Sequence, residues 1–341
     1  MAKKEFRMND RQKDKYAELF SVALDTMEDA HYEKPWVSPR RGRPANYKHR
    51  KPYRGMNDFF LKLLCAVKGW DVPYFLTFDQ LTDMGLRLNV RTERGEVVFT
   101  DKGIPAFEQS FPVVKMLPSF YKDGQRITAK EYDALSDEEK DACRRFFSMH
   151  IFPEFNLSQT NFAEKFPEKW EQLTAVPEHD YREGVRDEVL ERMIMQDAWR
   201  CKISFGGHQS CYLPEEDLIR LPERGRFLGD EMFYGVALHE MAHSTATELK
   251  RTVTGTFGDE EYAMEEFVAE LTAACVCSML GIGKLLDKNH LAYVASWRKA
   301  LRDGKDFIPK VIDQVQGATN YILRHYDKVA KDMQMPLLLA A

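Results

Sequence analysis

The residues best suited to catalysis or metal binding in this sequence are His239-Glu240-Met241-Ala242-His243, in which two histidines lie four positions apart. On a helix, side chains at positions i and i+4 lie about 40° apart, so both imidazoles can bind one metal ion. The glutamate beside the first histidine then lies next to the metal and can take a proton from a water molecule that the metal activates. The spacing predicts a zinc site with His239 and His243 as ligands and Glu240 as catalytic base.

A catalytic zinc site needs a third protein ligand and keeps one position open. The downstream stretch GDEEYAMEEFVAELTAACVCSMLG places Glu266 and Glu270 one helical turn apart, with small residues on the same side. Small residues allow a second helix to approach closely, whereas a solvent-exposed acidic face is the alternative interpretation. We expect Glu266 to be the third ligand, in a gluzincin-like arrangement, and Glu270 to accept a hydrogen bond from a ligand histidine. Glu265 and Glu270 remain alternative third ligands.

The elements that must position these residues follow from hydrophobic periodicity. A helix over residues 231–249, capped by Asp230, would carry both histidines opposite an apolar stripe and turn them toward a cleft. Further helices are predicted near residues 185–197, 260–280, 289–303 and 307–325, and short strands near residues 201–206 and 209–221. The second half of the chain is therefore predicted to be α+β.

The first half is also predicted to be α+β. An amphipathic helix is expected over residues 10–30, a second helix capped by Asn57, and a third capped by Thr77. Strands are expected at EVVFT, FPVVKML and SMHIFPEFNL, around a polar helical insertion at residues 123–147 that has two capping-box patterns. We predict an N-terminal domain over residues 1–160, a linker over residues 161–182 and a second domain over residues 183–341.

Residues 34–57 form a basic segment that contains eight Lys or Arg residues and no acidic residue. Prolines and glycines exclude a regular element there, so we expect an extended chain. Such a segment can track phosphates while its aromatic rings stack on bases, or it can be a solvated linker whose aromatic residues anchor it. The candidate DNA-contacting residues are Trp36, Arg40, Arg41, Arg43, Tyr47, Lys48, Arg50, Lys51, Tyr53 and Arg54.

The bulk composition predicts a soluble, cytoplasmic protein. The 341 residues carry a net charge of -5, and 44% of them are hydrophobic, which suffices for ordinary buried cores. The N-terminus lacks the apolar core of a signal peptide, and no run of about 18 apolar residues is present to span a membrane. The six cysteines are scattered, which is typical of reduced, buried thiols and not of a disulfide framework.

With these motifs in place, the chain resembles the ArdC-type antirestriction proteins of conjugative plasmids and phages. The resemblance rests on YLPEEDLIRLPERGRFLGDEMFYGVALHEMAHST and EYAMEEFVAELTAACVCSMLGI, and in the first half on PYRGMN, FLTFDQLTDMG and FPEFNLSQTNF. It implies an N-terminal domain that binds single-stranded DNA, followed by a zincin-like metallopeptidase domain. It also implies ligand roles for His239, His243 and a glutamate of MEEFVAE, with Glu240 as catalytic base. Where relatives have a Lys/Gly-rich turn, this chain has NVRTERGEVVFTDKG, which differs in charge.

Three functions are consistent with these features. The first is a zinc metallopeptidase that is tethered to single-stranded DNA, acts on an unidentified protein and thereby protects incoming mobile DNA. The second is a DNA-binding protection protein with a structural or idle metal site. The third is a peptidase without a role in DNA binding. A complete His/Glu/His set favours an active site, because structural zinc sites usually have four closed ligands, often cysteines.

Overall fold

The computed structural model describes residues 8–28, 42–70, 72–91, 97–100, 110–175, 186–227, 229–251, 260–282, 297–299, 301 and 306–339. The helices are α1 (Asp10–Glu28), α2 (Met56–Lys68), α3 (Phe78–Asp83), α4 (Ala129–Asp133), α5 (Asp137–Ala142), α6 (Phe162–Lys165), α7 (Pro167–Thr174), α8 (Glu188–Met195), α9 (Asp230–Ser244), α10 (Ala246–Leu249), α11 (Glu260–Leu280) and α12 (Ile308–Asp332). Among these helices, none combines the length and apolar character that crossing a bilayer requires.

The strands form two larger sheets and one two-stranded pair. They are β1 (Ala45–Asn46), β2 (Tyr74–Thr77), β3 (Leu88–Arg91), β4 (Val97–Thr100), β5 (Phe111–Lys122), β6 (Gln125–Ile127), β7 (Arg144–Asn156), β8 (Lys202–Phe205), β9 (Cys211–Leu213) and β10 (Leu218–Leu221). The five-stranded sheet has the order β1-β2-β7-β5-β6, and the three-stranded sheet has the order β8-β10-β9. The protein is thus α+β, as the sequence predicts.

Most predicted elements of the first half are present. Thr77 caps α3 through a capping box with Gln80, and Thr128 and Ser136 cap the two helices of the polar insertion in the same way. The predicted cap at Asn57 is wrong, because Asn57 lies inside α2. Its side-chain amide instead donates to the carbonyl of Val114, and its side-chain oxygen accepts from the amide of Val114, so it joins α2 to β5.

Residues 161–182, predicted to be a linker, begin with two short helices, α6 and α7. Phe162 is fully buried in a cluster with Leu81 and Phe155, against which Phe166 and Trp170 also pack. Residues 176–185 lie outside the described residues, as does most of the helix expected over residues 289–303. The domain boundaries therefore stay a prediction.

One hydrophobic core is shared by the two halves of the chain. It contains α1, α2 and β5 from the first half, and α11, Trp297 and α12 from the second half. The rings of Phe20 on α1 and Phe267 on α11 meet edge to face, with centroids 5.5 Å apart. A second core lies between the three-stranded sheet and helices α8, α9, α11 and α12. Helix α11 belongs to both cores, so it links the first half of the chain to the helix that carries the histidines.

Candidate metal centre

Helix α9 is fixed at both ends by arginines. At its start, Arg224 donates to Asp230 at 2.7 Å. The expected cap at Asp230 is wrong, because Gly229 occupies the N-cap position with φ +94° and Asp230 is the first helical residue. At its end, Arg200 donates to the carbonyl of Ser244 at 2.8 Å and Arg251 to that of Ala242 at 2.9 Å. Cations at the last carbonyls satisfy acceptors that the helix itself leaves unpaired.

The two histidines of α9 face helix α11. They are not turned toward an open cleft, because α9 is buried on all sides from Phe233 to Ser244. The histidine Nε2 atoms are 3.0 Å apart. The carboxylate of Glu266 lies against both, at 3.4 Å from Nε2 of His239 and 3.6 Å from Nε2 of His243. Tertiary packing has therefore brought together three donor atoms from two helices.

These three donors fit a transition-metal ion. One ligand atom each from His239, His243 and Glu266 lies within 4.8 Å of the other two, and all three residues are buried. Two imidazole nitrogens and one carboxylate oxygen form the ligand set of an open zinc site, in which a fourth position stays accessible. Imidazole and carboxylate also bind other divalent ions, so the donor set is suited to a metal ion without selecting which one.

The outer nitrogens of the histidines face two further glutamates of α11. Nδ1 of His239 is 3.4 Å from Oε1 of Glu270, the residue that the sequence predicts as its acceptor. Nδ1 of His243 is 3.2 Å from Oε1 of Glu265, which was predicted only as an alternative metal ligand. A signal for Glu265 was available, because each ligand histidine usually donates its second N–H to a carboxylate or carbonyl. Two histidines therefore need two acceptors besides the third ligand.

Charge in this cluster is balanced by arginine and by the histidines. Arg251 is 3% exposed and donates to both oxygens of Glu265, at 2.8 and 3.1 Å. Burial raises the pKa of Glu265, but the hydrogen bonds from His243 and Arg251 outweigh it and hold the pKa below its usual value. Burial likewise lowers the pKa of His239, but hydrogen bonding to Glu266 and Glu270 outweighs it and raises the pKa to about 10. Glu265 thus stays ionised, whereas His239 would have to release a proton to bind a metal ion.

Glu240 lies beside the three donors and near the three-stranded sheet. Its side chain is 5% exposed, and its charge acts on both His239 and Cys211 of strand β9. In the sheet order β8-β10-β9, strand β9 pairs only with β10 and so has one open edge among the described strands. Glu240 is thus close to His239 and to a strand with an unpaired edge.

The predicted DNA-contacting residues are dispersed. Trp36, Arg40 and Arg41 lie outside the described residues. Arg43 is turned inward, where it contacts the carboxylate of Asp58, the backbone carbonyl of Tyr53 and the sulfur of Met279. It therefore contributes to the packing between the two halves of the chain.

Tyr47 and Tyr53 are buried, with 8% and 7% of their surfaces exposed. The Tyr53 hydroxyl bonds to the carboxylate of Glu154, and the Tyr47 ring packs edge to face on Phe162. Stacking on a base requires an accessible ring face, so the structure contradicts that role for these two tyrosines in this conformation. Four residues of the predicted set stay on the surface: Lys48, Arg50, Lys51 and Arg54.

Comparison with known families gives matches to both halves of the chain. Residues 13–149 match the N-terminal domain of anti-restriction factor ArdC, and residues 188–312 match a zincin-like metallopeptidase family. Two solved structures of the antirestriction ArdC protein from plasmid R388, one metal-free and one Mn(II)-bound, share the fold with a TM-score of 0.56 and 22% identity. The alignments cover 94% of this chain and 98% of the ArdC chain.

Relatives of known sequence include a protein of Sinorhizobium fredii (strain NBRC 101917 / NGR234), described as uncharacterized protein y4eC. It is 27% identical over 295 residues, which make up 85% of each chain. The DNA primase TraC of Escherichia coli is 28% identical over 312 residues, which make up 89% of this chain but 19% of the primase. The chain thus contains, in the same order as an ArdC-type protein, a domain that matches the ArdC N-terminal family and a zincin-like metallopeptidase domain, and it shares the fold of the ArdC structures.

Proposed function

We propose that this protein is a zinc-dependent metallopeptidase whose N-terminal domain binds single-stranded DNA, and that it protects incoming mobile DNA. The main observation in favour of peptidase activity is that His239, His243 and Glu266 lie together, with Glu240 beside them. Zinc held by the three donors would act as a Lewis acid and lower the pKa of a water molecule toward neutrality. The Mn(II)-bound ArdC structure makes manganese the alternative metal.

We assign a role to each of the surrounding residues from its position. Glu240 takes the proton from the activated water and later passes it to the leaving amine. Strand β9 offers its open edge to an extended substrate, whose backbone would pair with Cys211–Leu213. Glu265 and Glu270 keep His243 and His239 oriented, because each carboxylate lies against the outer ring nitrogen.

The DNA half of the proposal rests on the ArdC-type N-terminal domain and on the basic segment. The match to ArdC over residues 13–149 and the partial match to the TraC primase favour a DNA-associated role. The two halves of the chain share one hydrophobic core. DNA bound to the first half would therefore hold the peptidase domain near other proteins that act on the same DNA strand. The second candidate is a DNA-binding protection protein with an idle metal site, which the resemblance to an antirestriction protein also supports.

The test compares wild type with Glu240→Gln after reconstitution with zinc or with manganese. We expect one metal ion per chain in both proteins, hydrolysis of protein substrates by wild type, and at least a 100-fold loss in the variant, since a positioned base contributes about 10²–10⁴-fold. The control is Glu248→Gln, which changes an exposed glutamate of α10. Proteomic comparison of cells that express the two forms would identify the substrate protein.

Three results would separate the candidates. If neither metal binds, the enzymatic half of the proposal is wrong. If Glu240→Gln loses its metal, Glu240 is a ligand and not the base. If metal binds normally but wild type and variant protect incoming DNA equally well, the idle-site candidate replaces the peptidase.

A further inference from the structure

The two longest strands of the protein, β5 and β7, extend as a ribbon beyond the core. They pair without interruption from Phe111 opposite Glu154 to Tyr121 opposite Arg144. Their outer parts carry four of the large hydrophobic side chains that are most exposed among the described residues. These are Met116 at 41%, Leu117 at 37%, Phe146 at 50% and Phe147 at 57%. Exposed apolar side chains that cluster in this way mark interaction surfaces.

The two faces of this ribbon differ, because side chains alternate along each strand and opposed residues share a face. We define the aromatic-basic face by the following residues: Lys115, Leu117, Ser119, Tyr121, Arg144, Phe146, Ser148, His150 and Phe152. On it, the rings of Tyr121 and Phe146 meet edge to face at 5.5 Å, and the ammonium of Lys115 lies 5.0 Å from the ring centre of Phe152. This face thus combines cationic and aromatic side chains.

Acidic helices pack against one end of the opposite face, which elsewhere carries the exposed Met116 and Phe147. Phe120 stacks on Tyr132 of α4 at 3.9 Å, and Lys122 forms an ion pair with Glu139 of α5 at 2.8 Å. The two helices, AKEYD and DEEKDA, contain six acidic residues and two lysines. Such a surface repels phosphate, so the charge of the insertion distinguishes the two faces.

Strands β5 and β7 place no exposed carboxylate on the aromatic-basic face. Within the two strands, the one carboxylate that shares this face is Glu154, which is fully buried and paired with Lys115. The face also adjoins the basic segment, because Tyr53 bonds to Glu154 and lies 5.8 Å from the ammonium of Lys115. Arg54, which is exposed, follows directly in the chain.

We infer that the aromatic-basic face of the β5–β7 ribbon is a binding surface for single-stranded DNA, with Phe146 and Tyr121 stacking on bases and Arg144 contacting phosphate. The inference rests on the proposed DNA-binding function and assigns it to residues outside the basic segment. Single strands fit this face better than duplex because rings at the surface need unstacked bases, and such stacking is sequence-tolerant. The ribbon replaces the buried Tyr47 and Tyr53 as the source of aromatic contacts.

The experiment uses the full-length protein, fluorescein-labelled oligo-dT and fluorescence anisotropy. Neighbouring residues on opposite faces give matched pairs: Phe146→Ala with Phe147→Ala, and Arg144→Ala with Arg145→Ala. We expect Phe146→Ala to weaken binding about tenfold and Phe147→Ala to leave it within twofold. Arg144→Ala should lower the slope of log affinity against log salt by about 0.7, whereas Arg145→Ala should not change it. All four residues are exposed, so the folds should be intact, which metal content and thermal unfolding check.

Each result bears on the inference separately from the proposed function. If wild type does not bind oligo-dT, the DNA half of the proposed function is wrong and the inference falls with it. If wild type binds but Phe147→Ala weakens binding as much as Phe146→Ala, or neither does, the inference alone is overturned. The inference is also overturned if wild type is a dimer and Phe146→Ala is a monomer with the same DNA affinity. The ribbon would then be a self-association surface.

Discussion

Three glutamates of α11 surround the two histidines, and each has its own neighbour. Glu266 faces both Nε2 atoms, Glu270 faces Nδ1 of His239, and Glu265 faces Nδ1 of His243. This division follows from helix geometry, because residues 266 and 270 lie one turn apart whereas residue 265 points about 100° away from residue 266. Only Glu266 can share a metal with both rings, while the other two hold the rings in place.

The residue-scale prediction concerns these three carboxylates. We expect Glu266→Gln to abolish stable metal binding, whereas Glu265→Gln and Glu270→Gln should weaken it by about 10–100-fold, the usual effect of losing a partner of a ligand histidine. Metal affinity is measured by competition with a chelator, with the exposed Glu215→Gln as control. Retention of metal by Glu266→Gln together with its loss in Glu265→Gln or Glu270→Gln would transfer the ligand role to that residue.

Between elements, a second charged cluster positions the start of the metal-site helix. Glu191 of α8 accepts from Arg224 at 2.5 Å and from the Tyr234 hydroxyl of α9. Arg224 also binds Asp230 in the first turn of α9, at 2.7 Å. Burial raises the pKa of Glu191, but hydrogen bonds from Tyr234, Arg224 and Arg186 outweigh it and lower the pKa below 4.5. Ionised Glu191 therefore stabilises the packing of α8 on α9.

The element-scale prediction is a pH dependence. A carboxyl with a lowered folded-state pKa contributes stability above its unfolded pKa of 4.5 and loses that contribution as pH falls through the folded pKa. Glu191→Gln should therefore be less stable than wild type at pH 7, by about 2 kcal/mol, and the difference should shrink below pH 4.5. Urea unfolding at several pH values measures this, with the exposed Glu188→Gln of the same helix as control. A pH-independent difference would mean that the ionisation of Glu191 does not contribute.

At the scale of the whole molecule, a buried polar cluster joins the first half to α11. Asp58 is fully buried, pairs with Lys62 at 2.7 Å and accepts from the hydroxyl of Ser278 at 3.0 Å. Lys62 donates to the backbone carbonyl of Ser278 at 3.0 Å, and Arg43 lies 3.5 Å from Asp58. Because Ser278 belongs to the helix that supplies Glu266, the fold of the first half is coupled to the metal centre.

The whole-molecule prediction follows from this shared core. Asp58→Ala should destabilise the protein by about 3–5 kcal/mol, because it leaves the largely buried Lys62 without its partner. Unfolding, followed by fluorescence and by release of the metal, should then occur as one transition at lower denaturant. Asp58→Asn combined with Lys62→Met removes the charges of both partners, so we expect a smaller loss. Separate transitions for fluorescence and metal release would show that the two halves unfold independently.

The sequence alone determined the local features, because these depend on short-range spacing. The sequence predicted the i, i+4 histidines, the capping boxes at Thr128 and Ser136, and the α+β class. The partners of those features could not be predicted, since they come from distant parts of the chain. Tertiary packing decided that Glu265 faces His243, that Tyr47 and Tyr53 are buried, and that Phe146 stays exposed. Aromatic and charged residues have no fixed place in sequence patterns, so only the packed fold distinguishes core from surface for them.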